Sequence, residues 1–412
     1  MPRPLPPRRV AHQDVVSARR RQDLKILYSF PHPFGSAGIG TTAWETVVAL
    51  ARSGHHVVLS TTSVHRPLPQ DVGGRVDVRT SLTVAGRRLP HRAVGLGRAY
   101  RWHDLRTSRM VAGLGADVVH TWPRSCLRTL AAAQEGGVPG LRESPSPHSA
   151  TAFAVAAAVA SRVGSEIPDG HFHAGGPERL AQEVAEYAAA TAVLAPSGFA
   201  RSTFLDRGHP PQRVLQHRYG VDLDRFAPAA TSPAGSPLRV AFVGRLEPAK
   251  GLDVLLEAWR ELPPEPRAEL LLVGEDTSHA AERHVDLLDD PSVRWLGRTS
   301  DVPGLLRTCH ALALPSYSEG MALSVLEGMA VGLVPLVSDS AGAPVVHGRN
   351  GLIHPVGDVA TLTEHLTTIT SAAAREELRE VLLAGRGELS WGAAAESLVA
   401  CYRRAELLGP PG

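Results

Sequence analysis

The chain has 412 residues, of which 43% are apolar and 20% charged, and its formal net charge is +2. This length suits two α/β domains with separate cores, and the near balance of charge argues against a nucleic-acid-binding protein. No run reaches the roughly 20 apolar residues of a transmembrane helix, and the widely spaced Cys126, Cys309 and Cys401 are typical of reduced thiols in a cytoplasmic protein. The first 22 residues are rich in Pro and Arg and are predicted to form a disordered arm.

A βαβ unit follows the arm. Leu24–Phe30 is predicted as a strand, Thr41–Ser53 as a helix with its apolar residues on one face, and His56–Ser60 as a second strand. The loop between the first strand and the helix contains three glycines, among them Gly38 and Gly40. Glycine allows a tight turn or the close approach of a ligand to the backbone. The spacing alone does not choose between these two uses.

The next distinctive stretch is basic. Gly86–Met110 carries seven arginines against one aspartate, Asp104. Such a stretch suits an anionic acceptor or an acidic membrane face. A solvated helix face is the simpler interpretation, and it is the one we favour.

Two further strands end in ionisable side chains. Asp117–Trp122 is predicted as a strand with His120 near its end, and Val138–Ser149 as a strand followed by a Pro-rich loop that carries Glu143 and His148.

The first half ends in a hinge and a linker. Tyr219–Pro228 (YGVDLDRFAP) combines a turn glycine with Phe226, so a structural role is expected there. The Pro-, Ala- and Ser-rich stretch that follows has linker composition. We therefore predict a domain at 23–227, a linker at 228–237 and a second domain at 238–390. The last segment, 391–412, is predicted to be a helix that returns to the first domain.

The second domain opens with a predicted strand, Leu238–Val243, a polar loop, Gly244–Gly251 (GRLEPAKG), and an amphipathic helix, Leu252–Leu262. Arg245 and Lys250 lie on this strand-to-helix loop. Two cations in that position suit a diphosphate, whose charges must be held as a bond to phosphate breaks.

The chain is organised around the stretch Pro315–Val334 (PSYSEGMALSVLEGMAVGLV). An apolar run, Ala311–Leu314, is predicted as a buried strand, and the apolar spacing from Met321 onward is helical. Ligands bind at the carboxyl ends of strands in open α/β sheets, and a helix start favours an anion. We expect the N–H groups of Gly320, Met321 and Ala322 to face such a ligand.

Two carboxylates bracket this unit. Glu319 precedes the predicted helix and Glu327 follows eight residues later, a separation of about 12 Å along a helix axis. Glu327 falls among Leu326, Met329 and Ala330, where a solvated carboxylate is not expected. The pair can hold the two ends of a long polar ligand.

Together these motifs (PSYSEGMALSVLEGMAVG, FVGRLEPAKG and YGVDLDRFAP) resemble the retaining nucleotide-sugar glycosyltransferases with the two-Rossmann GT-B fold, which include glycogen-synthase-like and bacterial mannosyltransferase-like enzymes. The resemblance extends from about Leu24 to Tyr402. It implies an α/β protein with two Rossmann-like domains facing across a cleft. It also implies transfer of a sugar from a nucleoside diphosphate sugar to an acceptor hydroxyl, with retention and without a cofactor.

The resemblance also implies residue roles. Arg245 and Lys250 would stabilise the leaving diphosphate, Glu319 would contact the donor sugar and Glu327 the ribose hydroxyls. The remaining implied donor-binding residues are Gly38, Gly40, Gly244, Gly320, Met321 and Ala322. Many members of the family carry a His–Asp or similar pair after the strand where this chain has Arg142–Glu143, with His148 further on. The acceptor-side base therefore stays open among His148, Glu143 and His120.

No Asp-x-Asp metal motif is recognised, because the nearest string, Asp222-Leu-Asp224, belongs to the hinge motif; we expect no metal. Two alternatives remain: a nucleotide-sugar epimerase or hydrolase on the same fold, and a non-catalytic sugar-nucleotide-binding protein. The expected partners are a nucleotide-sugar donor and an unidentified acceptor, which is a glycan, a lipid or a small molecule. The expected location is the cytoplasm, with peripheral contact at the inner membrane face left open.

Overall fold

The computed structural model describes residues 23–84, 87–88, 95–165, 167, 175–229, 237–263, 268–277 and 279–410. The predicted arm and residues 230–236 of the predicted linker lie outside this part of the chain. The chain falls into two compact units, residues 1–141 and 142–411. The predicted domain boundaries stay a prediction.

The first sheet has seven strands in the order β3-β2-β1-β6-β7-β8-β9, with parallel pairing. Its strands are β1 (Lys25–Phe34), β2 (His56–Val64), β3 (Val76–Thr80), β6 (Val118–Thr121), β7 (Gly140–Glu143), β8 (Ala192–Ala195) and β9 (Val214–Gln216). A separate antiparallel pair consists of β4 (Thr83–Val84) and β5 (Arg87–Arg88).

The second sheet has six strands in the order β12-β11-β10-β13-β14-β15, also parallel. Its strands are β10 (Leu238–Val243), β11 (Ala268–Val273), β12 (Val293–Gly297), β13 (Ala311–Leu314), β14 (Val334–Ser338) and β15 (Leu352–His354). The two parallel sheets with their helices confirm the predicted α/β class with two Rossmann-like sheets.

Helices connect the strands of both sheets. In the first half they are α1 (Ile39–Arg52), α2 (Leu96–Leu114), α3 (Leu127–Glu135), α4 (Ser149–Arg162), α5 (Pro177–Ala189) and α6 (Gly198–Leu205). In the second half they are α7 (Leu252–Arg260), α8 (Ala280–Arg283), α9 (Val285–Leu288), α10 (Val302–Leu306), α11 (Leu323–Val331), α12 (Val359–Thr368), α13 (Ala372–Ala384) and α14 (Trp391–Glu406). Among the described residues, no helix is both long and apolar enough to cross a membrane.

The first strand is longer than the sequence predicts. β1 continues through the expected start of the loop to Phe34, which pairs with Val64. The register shifts between Phe30 and Pro33, and such an irregularity accommodates prolines, which cannot donate to a regular ladder. The first four residues of the predicted loop therefore belong to the strand.

Continuous apolar runs explain the second sheet. A parallel strand covered on both faces needs apolar residues throughout, and all four residues of β13 are fully buried. The hinge residues Tyr219, Val221 and Phe226 belong to the same buried cluster as the strands of this sheet. Phe226 therefore has the packing role that the sequence predicts.

The part of the basic stretch from Leu96 to Met110 lies in a helix with two distinct faces. Arg87 and Arg88 form β5, and Arg92 lies outside the described residues. On α2 the arginines at 98, 101, 106 and 109 are exposed, as the favoured interpretation expects. Asp104 is buried, and its carboxylate accepts hydrogen bonds from the N–H groups of Arg128 (3.0 Å) and Thr129 (2.9 Å). Asp104 thus satisfies donors at the start of α3, a structural role for the stretch's one acidic residue.

Candidate functional site

The topology of the second sheet brings two predicted loops together. Its strand order reverses between β10 and β13, which pair directly. Ligands of doubly wound sheets bind outside the carboxyl ends of the strands at such a reversal. The loop after β10, residues 244–251, and the loop after β13, residues 315–322, both begin there. Together they define the candidate site.

The backbones of these two loops touch. A Cβ atom added at Gly251, which has φ +70°, would lie 2.1 Å from the carbonyl oxygen of Pro315. The N–H of Tyr317 donates to the carbonyl of Ala249 at 2.9 Å. Glycine is required at 251 by both the positive φ and the close contact. The two loops are therefore held in one arrangement.

Arg245 lies at the start of the first loop. Its Nη2 donates to Oε1 of the buried Glu247 at 3.2 Å, while 49% of the arginine side chain stays exposed. Just before it, the carbonyl of Gly244 would be 1.7 Å from a Cβ added at Gly274. The guanidinium is thus anchored on one side and open on the other, an arrangement that suits an anionic ligand.

Lys250 and Glu319 meet across the two loops. The lysine Nζ and the glutamate Oε1 form an ion pair, and the side chains are 20% and 16% exposed. Ser316 Oγ donates to the same carboxylate oxygen at 3.2 Å. The structure thus places Lys250, which is predicted to bind the diphosphate, in direct contact with Glu319, which is predicted to bind the sugar. A cation beside an acceptor of hydroxyl hydrogen bonds can hold both halves of a sugar phosphate.

The helix after Glu319 starts later than predicted. Helix α11 begins at Leu323, with Ala322 as its N-cap in an extended conformation. The N–H of Ala322 donates to the carbonyl of Ala341 at 3.2 Å, and Met321 Sδ accepts from the N–H of Tyr219 at 3.3 Å. The expected start at Met321 is therefore wrong, because contacts from elsewhere in the fold extend the loop. Of the three N–H groups predicted to face an anion, that of Ala322 is already used.

Glu327 lies half-buried on α11. Burial raises the pKa of its carboxyl to about 7, although the nearby Arg225 acts in the opposite direction. The sequence-based expectation that this carboxylate is not fully solvated is thus confirmed. A carboxyl held in this state gains from a ligand that donates hydrogen bonds to it.

Glu143, a candidate acceptor-side base, ends β7 inside a hydrogen-bond network. It is 1% exposed, and its Oε1 accepts from Tyr219 Oη at 2.8 Å and lies 3.0 Å from His217 Nε2. Buried carboxylates need such partners. This network gives Glu143 a structural role, and its catalytic role stays a prediction.

His148, the second candidate, caps a helix. Its Nδ1 accepts from the N–H of Ala150 at 3.2 Å at the start of α4, and its ring packs beside Tyr187 and Phe204. Burial lowers the pKa of His148 to about 4, so the imidazole is neutral at pH 7. A base of such low pKa is poorly matched to proton abstraction near neutrality.

The candidates in residues 1–141 have local explanations. Gly38 has φ +75° and is the N-cap of α1, whereas Gly40 lies in the first turn of the helix rather than in the loop. A Cβ added at Gly40 would lie 2.5 Å from Ser36 Oγ. His120 is fully buried and stacks on Tyr28, with ring centroids 4.4 Å apart. These contacts leave the predicted donor-binding role of the glycines a prediction.

The sequence did not reveal two features near the site. Ser197 Oγ donates to the carbonyl of Gly320 at 2.5 Å, and buried Arg142 contacts Glu183 and Glu186. The position of Ser197 between a strand and a helix indicates only an N-cap. No local pattern indicates a partner 123 positions away, as for Ser197, or 41 and 44 positions away, as for Arg142.

Two family models match the chain. The model described as glycosyl transferases group 1 matches residues 237–372, and the model described as Glycosyltransferase Family 4 matches residues 36–225. D-inositol 3-phosphate glycosyltransferase of Mycobacterium tuberculosis is 30% identical over 228 residues, which are 50% of this chain and 47% of that protein. The chain thus matches about half the length of such curated relatives.

Solved structures share the fold over nearly the whole chain. Sucrose-phosphate synthase from Thermosynechococcus elongatus has a TM-score of 0.66 and 20% identity, and the match covers 92% of this chain and 98% of that one. Anabaena HepE in complex with UDP and glucose has a TM-score of 0.63 and 15% identity, with 92% and 99% covered. At these identities the likeness concerns the fold.

Proposed function

The chain belongs to the glycosyltransferases of the GT-B fold, and we propose that it moves a hexosyl group from a nucleoside diphosphate sugar to an acceptor hydroxyl with retention at the anomeric carbon. The observation that carries this proposal is the contact between Lys250 and Glu319 where the strand order of the second sheet reverses. A second cation, Arg245, lies on the same loop as the lysine. The site thus combines what a diphosphate and a sugar each require.

In this proposal the donor binds along the two loops. Arg245 and Lys250 hold the diphosphate, Glu319 accepts hydrogen bonds from the sugar, and Glu327 accepts them from the ribose. The neighbour HepE has been solved with UDP-glucose, so UDP-sugars are the first donors to test. Gly38 and Gly40 remain proposed donor contacts on the grounds of the family resemblance alone, although Gly40 lies in the first turn of α1.

The reaction breaks the bond between the anomeric carbon and the phosphate oxygen as the acceptor oxygen bonds to that carbon on the same face. The acceptor proton passes to the leaving diphosphate, which serves as the base. Arg245 and Lys250 stabilise the charge that develops on the diphosphate, an effect that is strongest in the transition state. These cations occupy the role that a divalent metal has in other transferases, so the proposal includes no metal or cofactor.

This mechanism assigns no proton transfer to Glu143 or His148. Glu143 is hydrogen-bonded to Tyr219, and His148 caps α4. Between them in the chain lies Pro145, whose carbonyl oxygen lies against Gly320. The acceptor is a hydroxyl compound of unassigned class, and we place the reaction in the cytoplasm.

The test is a product assay with purified protein and a panel of nucleotide sugars, with and without candidate acceptors. Transfer predicts glycosylated product with the α or β configuration of the donor, and release of nucleoside diphosphate that depends on acceptor. A Glu319→Gln variant should lose turnover, whereas Glu388→Gln, a change at a side chain that is 80% exposed, should not. Release of free sugar or conversion to an epimer without any acceptor would overturn the transferase proposal.

A further inference from the structure

A serine outside both loops of the site holds the loop that carries Glu319. Ser197 follows β8 and is the N-cap of α6, where its Oγ accepts from the N–H of Ala200 at 3.0 Å. The same Oγ donates to the carbonyl of Gly320 at 2.5 Å. Ser197 is 3% exposed. The hydroxyl of Ser197 therefore caps helix α6 and also binds the loop that carries Glu319, and both hydrogen bonds are shielded from water.

The surroundings of Gly320 leave little room. A Cβ added at Gly320 would lie 1.9 Å from the carbonyl oxygen of Pro145, and one added at Gly342 would lie 2.5 Å from the carbonyl oxygen of Gly320 and 2.8 Å from Ser197 Oγ. Close packing of this kind permits few alternative positions of the loop. The serine supplies the hydrogen bond that fixes the direction of the carbonyl.

The backbone around Glu319 is thus held at two points. Its own N–H donates to the carbonyl of Ser340 at 3.0 Å, and the carbonyl of the next residue is held by Ser197. We propose that Ser197 is a positioning residue, which holds Glu319 where the transferring sugar requires it. This inference rests on the proposed function.

The proposal separates two measurable quantities. Arg245 and Lys250 lie on the loop after β10 and Glu327 lies within α11, so removal of the hydroxyl leaves the backbone that carries the proposed diphosphate and ribose contacts in place, although Lys250 Nζ is paired with Glu319. The sugar contact alone is misplaced, and a displacement of about 1 Å is enough to lower turnover about 100-fold. We therefore expect kcat to fall while the Kd for nucleoside diphosphate stays the same.

Three variants test this expectation. Ser197→Gly removes the hydroxyl but keeps a residue that helix N-caps tolerate well. Ser197→Thr keeps a hydroxyl that can both accept and donate. Ser202→Ala removes a hydroxyl of the same helix that is exposed and bonds only to the local carbonyl of Phe199 at 2.8 Å. Each protein is compared for kcat, for the Kd of the nucleoside diphosphate and for melting temperature.

The proposal expects kcat of Ser197→Gly to fall about 10- to 100-fold with unchanged Kd, and Ser197→Thr and Ser202→Ala to resemble the wild type. Unchanged kcat in Ser197→Gly would overturn the proposal. A parallel loss of kcat, of affinity for nucleoside diphosphate and of stability would also overturn it, because that pattern indicates a purely structural role. Hydrogen exchange reads the contact without any turnover: the peptide covering residues 316–323 should exchange faster in Ser197→Gly. A wild-type protein that transfers no sugar would instead overturn the proposed function, and the positioning role with it.

Discussion

Two of the ion-paired clusters at strand ends in the described part of residues 142–411 differ in their exposure to solvent. Arg142 at β7 donates from Nη2 to Glu183 (3.0 Å) and Glu186 (3.3 Å), and its guanidinium lies 4.2 Å from the ring centre of Tyr187. Its side chain is 1% exposed. The cluster of Lys250 with Glu319 is 20% and 16% exposed. The first cluster is closed to solvent and the second is open.

The closed cluster satisfies its own charges. Burial opposes ionisation of Glu183, yet Arg142 and the hydroxyl of Ser149 together keep the pKa of that carboxyl below its usual value. Burial raises the pKa of Glu186 despite the same arginine. The buried arginine therefore lies between one carboxyl of lowered pKa and one of raised pKa. In the open cluster Arg245 and Lys250 bring two cations whose exposed sides can still accept an anion.

The largest effect is expected from opening the closed cluster. Arg142→Met leaves buried carboxyl groups without their buried cation, and such a change typically costs about 3–5 kcal/mol of folding stability. Denaturant unfolding should show this loss. Arg179→Met is the matched control, because Arg179 also contacts Glu183 (3.0 Å) but is 18% exposed, and it should cost about 0–1 kcal/mol. Equal losses in the two variants would contradict the distinction between the clusters.

Removal of a cation from the open cluster should act on the reaction instead. Arg245→Ala and Lys250→Ala each remove a group that stabilises charge on the leaving diphosphate, for which losses of about 100- to 1000-fold in kcat are typical. Stability should change little, because the ion pairs are partly solvated. Steady-state kinetics decide the matter. A raised donor KM at unchanged kcat would show that the residue binds the ground state and the transition state equally.

The two glutamates of the open site should separate in a binding experiment. Glu327→Ala should weaken nucleoside diphosphate and nucleotide sugar alike, by about 1–3 kcal/mol for a lost hydrogen bond to a charged group. Glu319→Ala should leave nucleoside diphosphate affinity nearly intact and lower kcat. Calorimetric titration of both variants measures this. The opposite pattern would reverse the assignment, and unchanged binding and rate in both would show that the motif is structural.

The same contrast explains what the sequence can predict. Ala311–Leu314 has the predicted strand bounds because four consecutive buried apolar residues are a local signal. Gly332 ends α11 with φ +89°, as a glycine after an apolar helix predicts. The start of α11 cannot be read from the local sequence, since it depends on the carbonyl of Ala341, which belongs to a later loop. Contacts of this kind carry no local pattern.

In the candidate site, too, the residues on local motifs could be predicted and the contacts between distant segments could not. Arg245, Lys250, Glu319 and Glu327 lie on motifs that the sequence displays, and the structure places Lys250 against Glu319. The partners of Glu143 could not be predicted, because His217 and Tyr219 come from a segment more than seventy positions away. Whether a carboxylate is free for chemistry or engaged in the fold depends on such distant partners.

The pH dependence of stability tests the burial of Glu327, a half-buried carboxyl that belongs to neither cluster. Its folded pKa of about 7 lies above the ordinary value of 4.5, so its contribution to the stability of the fold is fully present below pH 4.5 and is lost as pH rises through 7. Glu327→Gln should therefore gain stability relative to the wild type between pH 5 and pH 8. Melting temperatures across this range measure the gain. His148 titrates in both proteins, so the difference between them isolates Glu327, and parallel curves would contradict its burial.

The smallest effect on stability is expected at the exposed arginines of α2. These cations lie outside both the closed and the open cluster. Replacing the arginines at 98, 101, 106 and 109 by glutamine should change stability by less than about 0.5 kcal/mol per site, because solvent already screens them. Co-sedimentation with anionic and neutral vesicles at low and high salt tests the remaining use of this face. A solvated face predicts equal, weak binding by the wild type and the variant, with Arg294→Gln as a control on the second sheet. Salt-sensitive binding to anionic vesicles that only the variant loses would instead assign these arginines to a membrane or another anionic surface, because exposed cations bind such surfaces through electrostatic attraction that salt weakens.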